Sequence, residues 1–134
     1  MLAAATSGPV LAALSLHDAH VNWAWVVIFS NGLAGLWSLG AHWIAALRLR
    51  ALWWFVIAAE LTVFVQVGMG VGLVAGQGMH AAQFHMFYVF VAIISVAILY
   101  AYRNQLRSRM YLLYGGGGLF IMGLAIRAVL VGTS

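Results

Sequence analysis

Cysteine and lysine are both missing from this 134-residue sequence, and acidic residues nearly so, with Asp18 and Glu60 the only two. The missing cysteine rules out disulfides, iron–sulfur clusters, thiolate zinc sites and thiol nucleophiles. The missing lysine rules out Schiff bases with retinal-type or pyridoxal-type cofactors. Two carboxylates, and no serine with a recognisable base beside it, point away from hydrolases and transferases and away from catalysis by this chain on its own. Proline occurs once, at Pro9, outside the long apolar stretches.

Charge is scarce as well. Only 6% of residues are charged, 66% are hydrophobic, and mean hydropathy is +1.05. A soluble domain carries about 25% charged residues, and a fold of this size leaves too much surface exposed to hide so much apolar area from water. The composition is that of an integral membrane protein, with the lipid bilayer as its first partner. The net charge of +4 comes from six arginines set against the two acids. Those arginines fall where a membrane topology places them, so the charge carries no implication of nucleic acid.

About 20 apolar residues cross a bilayer as a helix. Four stretches qualify: 21–47, 51–76, 82–102 and 110–132. Residues 1–20 read as a tail, outside or interfacial, because the apolar N-terminal run is interrupted at Gly8-Pro9 and lacks the basic start of a secretory leader. Arg48 and Arg50 separate the first two stretches, and Arg103, Arg107 and Arg109 the last two. The tendency of basic loops to stay cytoplasmic puts both arginine loops inside and both termini outside, in a plasma membrane of the bacterial kind. Trp43, Trp53, Trp54, Tyr100, Tyr102, Tyr111 and Tyr114 gather around these loops, while Trp23, Trp25 and Phe84 mark the opposite face. The short connections make the expected fold all-α: an antiparallel up-down bundle of four transmembrane helices over 21–134.

Small residues recur where helices could approach closely. The second stretch has Gly68, Gly72 and Gly76; the first has Gly32 and Gly35; the fourth has Gly115 to Gly118 and then Gly123. In lipid, close backbone packing replaces the hydrophobic drive, so these glycines read as packing positions. "YGGGGLF" lacks the lysine and Ser/Thr of a phosphate-binding loop. On the first stretch Asn31, Gly35, Ser38 and His42 form one stripe at helical spacing, in which His42 reads as a helix–helix hydrogen-bonding residue.

A rise of about 1.5 Å per residue converts position into depth. Glu60 and Asn31 both reach the midplane, where a carboxylate costs about 2.5–3.5 kcal/mol. Asn31 is therefore the expected partner of Glu60, which reads either as a helix tie or as a proton-carrying group. Arg127 falls near the other face, at the depth of Gln66 and His85. It serves there either as a snorkelling cation or as a forked donor to an anionic group such as a haem propionate. Tyr88 lies one helical turn from His85.

Histidine is the polar residue this chain has in unusual supply. His17, His20, His80 and His85 all belong to the end away from the arginine loops. Three chemistries suit them. One is a b-type haem held by His20 and His85 from two helices, with Arg127 near the propionates. The second is a metal site drawn from His17, His20, His80 and His85, with Asp18, Met79 and Met86 nearby. The third is a set of interfacial histidines with no cofactor. His85, Tyr88, Gln66 and Arg127 together would also suit a quinone headgroup.

The expected role is a small subunit or accessory protein of a larger membrane complex, of the respiratory or redox kind, whose partners are other membrane subunits or further copies of itself. One alternative is an electron-transfer subunit binding haem b or quinone at His20, His85, Arg127, Tyr88 and Gln66. The other is a small transporter or channel using Glu60 and Asn31.

Overall fold

A computed structural model describes residues 2–76, 78 and 82–132, with side chains from Ser15 onward. The described chain is mostly helix: α1 (Leu2–Trp43), α2 (Arg50–Val71), α3 (Gln83–Tyr102) and α4 (Met110–Gly132). Among the described residues, four helices are long and apolar enough to cross a membrane. Apolar residues on all sides favour this outcome, since a helix satisfies its own backbone hydrogen bonds where no water is present.

Three boundaries differ from the expected ones. The helix containing the first stretch begins at Leu2 rather than near Val21, so helical backbone runs unbroken through Gly8-Pro9. Its alanine- and leucine-rich flanks are strong helix formers, and they outweigh the hydrogen bond that proline removes. At its other end α1 stops at Trp43 instead of Leu47, because Ile44 turns extended (φ −112°, ψ 105°) and Ala45–Leu47 form a single 3₁₀ turn. The second stretch is α-helical only to Val71, and Gly72–Gly76 widen into a π turn. Beyond it Gly78 takes φ +68°, a left-handed conformation that suits glycine.

The α1–α2 corner is closed by side chains. Arg48 donates from Nε to the Ala41 carbonyl at 2.7 Å and from Nη2 to the His42 carbonyl at 2.8 Å, meeting the last carbonyls of α1, which no backbone amide reaches. Trp37 Nε1 donates to the Leu47 carbonyl at 2.9 Å and holds the turn against the helix. At the α3–α4 corner, Arg103 donates to the Tyr100 carbonyl at 2.6 Å and stacks over its ring at 3.7 Å.

Packing is uneven around the bundle. The α1–α4 pair forms its closest seam, α2 lies on the flank of α1, α3 lies on the flank of α4, and α2 and α3 touch sparingly. The seam is made of glycine: a Cβ on Gly35 would lie 2.8 Å from the Leu119 amide nitrogen, and one on Gly115 would lie 2.8 Å from the Leu39 nitrogen. Ser38, fully buried beside this seam, donates to the Tyr111 carbonyl at 2.9 Å. Val27, Val63, Val96 and Ile121 join all four helices into one core, while Ala41, Leu52 and Ala59 form a second between α1 and α2.

Gly68, Gly72 and Gly76, in α2 and the π turn that follows it, do not repeat this pattern. Cβ atoms on Gly68 and Gly76 would meet nothing within 4 Å, and one on Gly72 would make an ordinary contact with Leu16. Trp25, Phe29, Leu33 and Leu36 of α1 each expose more than half their surface, as do Phe84, Phe87 and Phe90 of α3. Apolar side chains thus cover the outside of the bundle as well as its core.

Candidate functional site

The end of the bundle away from the arginine loops brings together polar groups from α1, α2, α3 and α4. His20 of α1 turns its Cε1 edge toward α2, where a Cβ on Gly70 would lie 3.3 Å from it. One helical turn earlier on α2, Gln66 donates from Nε2 to the His20 carbonyl at 2.8 Å. His85, in the first turn of α3, makes a 2.7 Å hydrogen bond through Nδ1 to the Ala128 carbonyl of α4. It is fitted so closely to α4 that a Cβ on Gly132 would come within 2.8 Å of Nδ1. The two imidazoles meet in an edge-on, T-shaped contact, with centroids 6.1 Å apart and planes at 74°. Also between α3 and α4, the Arg127 guanidinium sits 5.7 Å above the Tyr88 ring.

The chemistry of this end follows from its donors and acceptors. A carbonyl only accepts, so the bond to Ala128 places the proton of a neutral His85 on Nδ1 and leaves a lone pair on Nε2. His20 Nδ1 and the Gln66 carbonyl oxygen are both buried with no hydrogen-bond partner among the described residues. Buried polar atoms normally find a partner, so these two orphans mark an end whose polar groups are incompletely satisfied among the described residues.

Of the four histidines considered as metal ligands, the structure brings His20 and His85 together. His17 is exposed, and His80 lies outside the described residues, as does Met79. Among the described residues no three His, Cys, Asp or Glu side chains converge.

The expected Asn31–Glu60 bond does not form among the described residues. The Asn31 amide, almost fully buried, donates instead to the Val27 carbonyl at 2.9 Å and across to the Ala59 carbonyl at 3.1 Å. Glu60 follows Ala59 by about 100° of helix rotation, so it points past α1, and its Oε1 is buried without a hydrogen-bond partner among the described residues. His42 is also placed differently from expectation: its ring meets Trp43 edge-on at 4.9 Å, and its carbonyl receives Arg48. Ser95 donates within its own helix to Val91 at 2.7 Å.

Three contributors to this end were not read from the sequence. Gly70 and Gly132 admit the two rings, and the Ala128 carbonyl fixes one of them. A glycine at the same depth as a histidine on a neighbouring helix was the available signal for the first two. A backbone carbonyl gives no signal at all. No family model, curated protein or solved structure matches this chain.

Proposed function

We propose that the chain is an integral membrane protein serving as a small, non-catalytic subunit or accessory protein of a larger membrane complex of the redox kind, and that it holds a ligand between His20 and His85. The observation that carries the ligand site is the 6.1 Å approach of those two imidazoles from separate helices, with His20 Nδ1 and the Gln66 oxygen buried and unbonded beside them. Support for the subunit role comes from apolar helices with short connections, which leave little loop to build an enzyme site, and from large apolar side chains on the outside of the bundle. In this reading the arginine loops face the cytoplasm and both termini the opposite side.

The runner-up is an electron-transfer subunit in which His20 and His85 are the two axial ligands of a b-type haem, or in which the same end receives a quinone headgroup. What favours it is the origin of the two imidazoles on different helices, as axial ligation requires. A transporter reading rests on the unbonded Glu60 oxygen alone.

The test is purification of the tagged chain from its native membrane in mild detergent, followed by a reduced-minus-oxidised visible spectrum and identification of stoichiometric companions. Larger membrane redox proteins copurifying with the chain are the expected result. A chain that purifies alone at every detergent concentration overturns the subunit role. A stoichiometric b-haem band sensitive to His85→Ala selects the runner-up.

A further inference from the structure

We propose that a groove between α1 and α2, at the arginine end, holds one acyl chain of an anionic glycerophospholipid whose phosphate is met by Arg48 and Arg50. The inference is independent of the His20–His85 end.

The groove itself is apolar. Leu33, Leu36 and Trp37 of α1, Leu47 of the 3₁₀ turn and Phe55 of α2 line a space of about 530 Å³. Leu33 and Leu36 each expose more than half their surface, so the groove opens toward the outside of the bundle. One wall is held in place: Trp37 donates to the Leu47 carbonyl at 2.9 Å, and its ring packs against Phe55 with centroids 5.9 Å apart. In a bilayer such a hollow is filled, because lining atoms without neighbours forfeit their dispersion contacts. A hydrocarbon chain fills it and brings no polar group that needs a partner there.

Charge at the mouth selects the lipid. Arg48 directly follows Leu47, and Arg50 opens α2 five residues before Phe55, about 7.5 Å along the helix. Arg48 is anchored through Nε and Nη2 to the last carbonyls of α1, which leaves Nη1 for a further acceptor. Arg50 is exposed and makes no hydrogen bond or ion pair among the described residues. Neither acid of the chain answers these cations. Asp18 lies toward the opposite end of α1, and Glu60 lies ten residues beyond Arg50, about 15 Å further along α2. Two uncompensated guanidiniums at the mouth of an apolar groove complement a phosphate above an acyl chain, since the planar fork of N–H donors matches phosphate oxygens. Basic pockets between transmembrane helices on the cytoplasmic side recognise anionic headgroups by the same complementarity. An apolar partner helix would fill the groove and leave both charges unpaired.

The experiment uses the full chain, purified in mild detergent and cleared of lipid. It is titrated with phosphatidylglycerol and with phosphatidylcholine of identical acyl chains, and bound lipid is counted by native mass spectrometry. One tightly held phosphatidylglycerol per chain is expected, preferred over phosphatidylcholine by about fivefold for each of the two arginines. Arg50→Gln should remove about fivefold of that preference. Arg107→Gln, an equal loss of charge in the other arginine loop, should leave it unchanged. Leu36→Trp crowds the groove and should weaken both lipids alike, without altering their ratio. All three positions are exposed, so folding is not at stake.

Equal affinity for the two lipids would overturn the proposal, as would Arg107→Gln acting as strongly as Arg50→Gln, the mark of diffuse surface charge. Undiminished lipid binding by Leu36→Trp would overturn the groove. Glycerol phosphate competing as well as the whole lipid would show a free-phosphate site and overturn the acyl chain. A companion subunit that must leave before the lipid binds would assign the groove to protein and overturn the lipid.

Discussion

Gly35 of α1 and Gly118 of α4 lie face to face: a Cβ on Gly118 would sit 2.9 Å from the Gly35 Cα and 2.9 Å from the Asn31 carbonyl oxygen. Both obstacles are backbone, which has no rotamer into which to retreat. Gly35→Ala and Gly118→Ala should therefore each force α1 and α4 apart and cost about 1–3 kcal/mol, the usual range for overpacking. Gly123→Ala is the matched control. Its Cβ meets nothing within 4 Å, and replacing a helical glycine by alanine stabilises by about 0.5–1 kcal/mol. Thermal unfolding in mild detergent checks the contrast, and equal midpoints for Gly35→Ala and Gly123→Ala would refute the seam.

Asn31 ties α1 to α2 through the Ala59 carbonyl. Interhelical hydrogen bonds in membranes average about 0.6 kcal/mol and reach about 1.7. Asn31→Leu should fall within that range, with added strain because the position is 1% exposed. The partner is a backbone carbonyl, so no second-site side-chain change at Glu60 should modify the effect. A double-mutant cycle of Asn31→Leu with Glu60→Gln should be additive, and a coupling energy of about 1 kcal/mol would place the two side chains in contact after all.

That cycle also marks where reading the sequence reached its limit. Counting residues from an arginine loop gives depth, because the rise along a helix is fixed. It brought Asn31 level with Glu60, and His85 level with Gln66 and Arg127. Depth does not give the direction a side chain faces, and one residue along a helix turns that direction by about 100°. Ala59 rather than Glu60 consequently meets Asn31. The stripe Asn31–Gly35–Ser38 was legible as a packing face because its spacing fixes direction within one helix, and it lies at or beside the α4 seam. His42 extends the stripe in sequence but sits where α1 is ending, and the Arg48 cap takes over there. Gly68, Gly72 and Gly76 show the converse, since their four-residue spacing meets no close backbone among the described residues, and a Cβ on Gly72 would make only an ordinary contact with Leu16 of α1. The meeting of His20, Gln66 and His85 at one end depends on three helix rotations at once, and no single-helix pattern encodes that.

Glu60 provides a stability prediction that separates two functions. Its buried, unbonded Oε1 means that an ionised carboxylate would go uncompensated near the midplane, at about 2.5–3.5 kcal/mol. Glutamine keeps the shape without the charge. Glu60→Gln should fold at least as well as the wild-type protein, with an unchanged or higher unfolding midpoint. In proteoliposomes the subunit role predicts no proton or ion flux from either protein. A wild-type flux abolished in Glu60→Gln would establish the transporter alternative.

The absence of cysteine makes the orientation directly measurable, since any introduced thiol is the only one present. Ser108 lies in the second arginine loop, within the 3₁₀ turn Arg107–Arg109, and Ala82 precedes α3 at the opposite end; both are exposed. Neither side chain makes a contact that cysteine would disrupt strongly, so Ser108→Cys and Ala82→Cys should fold as the wild-type protein does. In intact cells a membrane-impermeant maleimide should label Ala82→Cys and spare Ser108→Cys, and opening the membrane should expose Ser108→Cys to the reagent. The reverse pattern would put the arginine loops outside, against the ordinary charge bias of membrane insertion. It would also place His20 and His85 on the cytoplasmic side, where any ligand would have to be supplied from the cell interior.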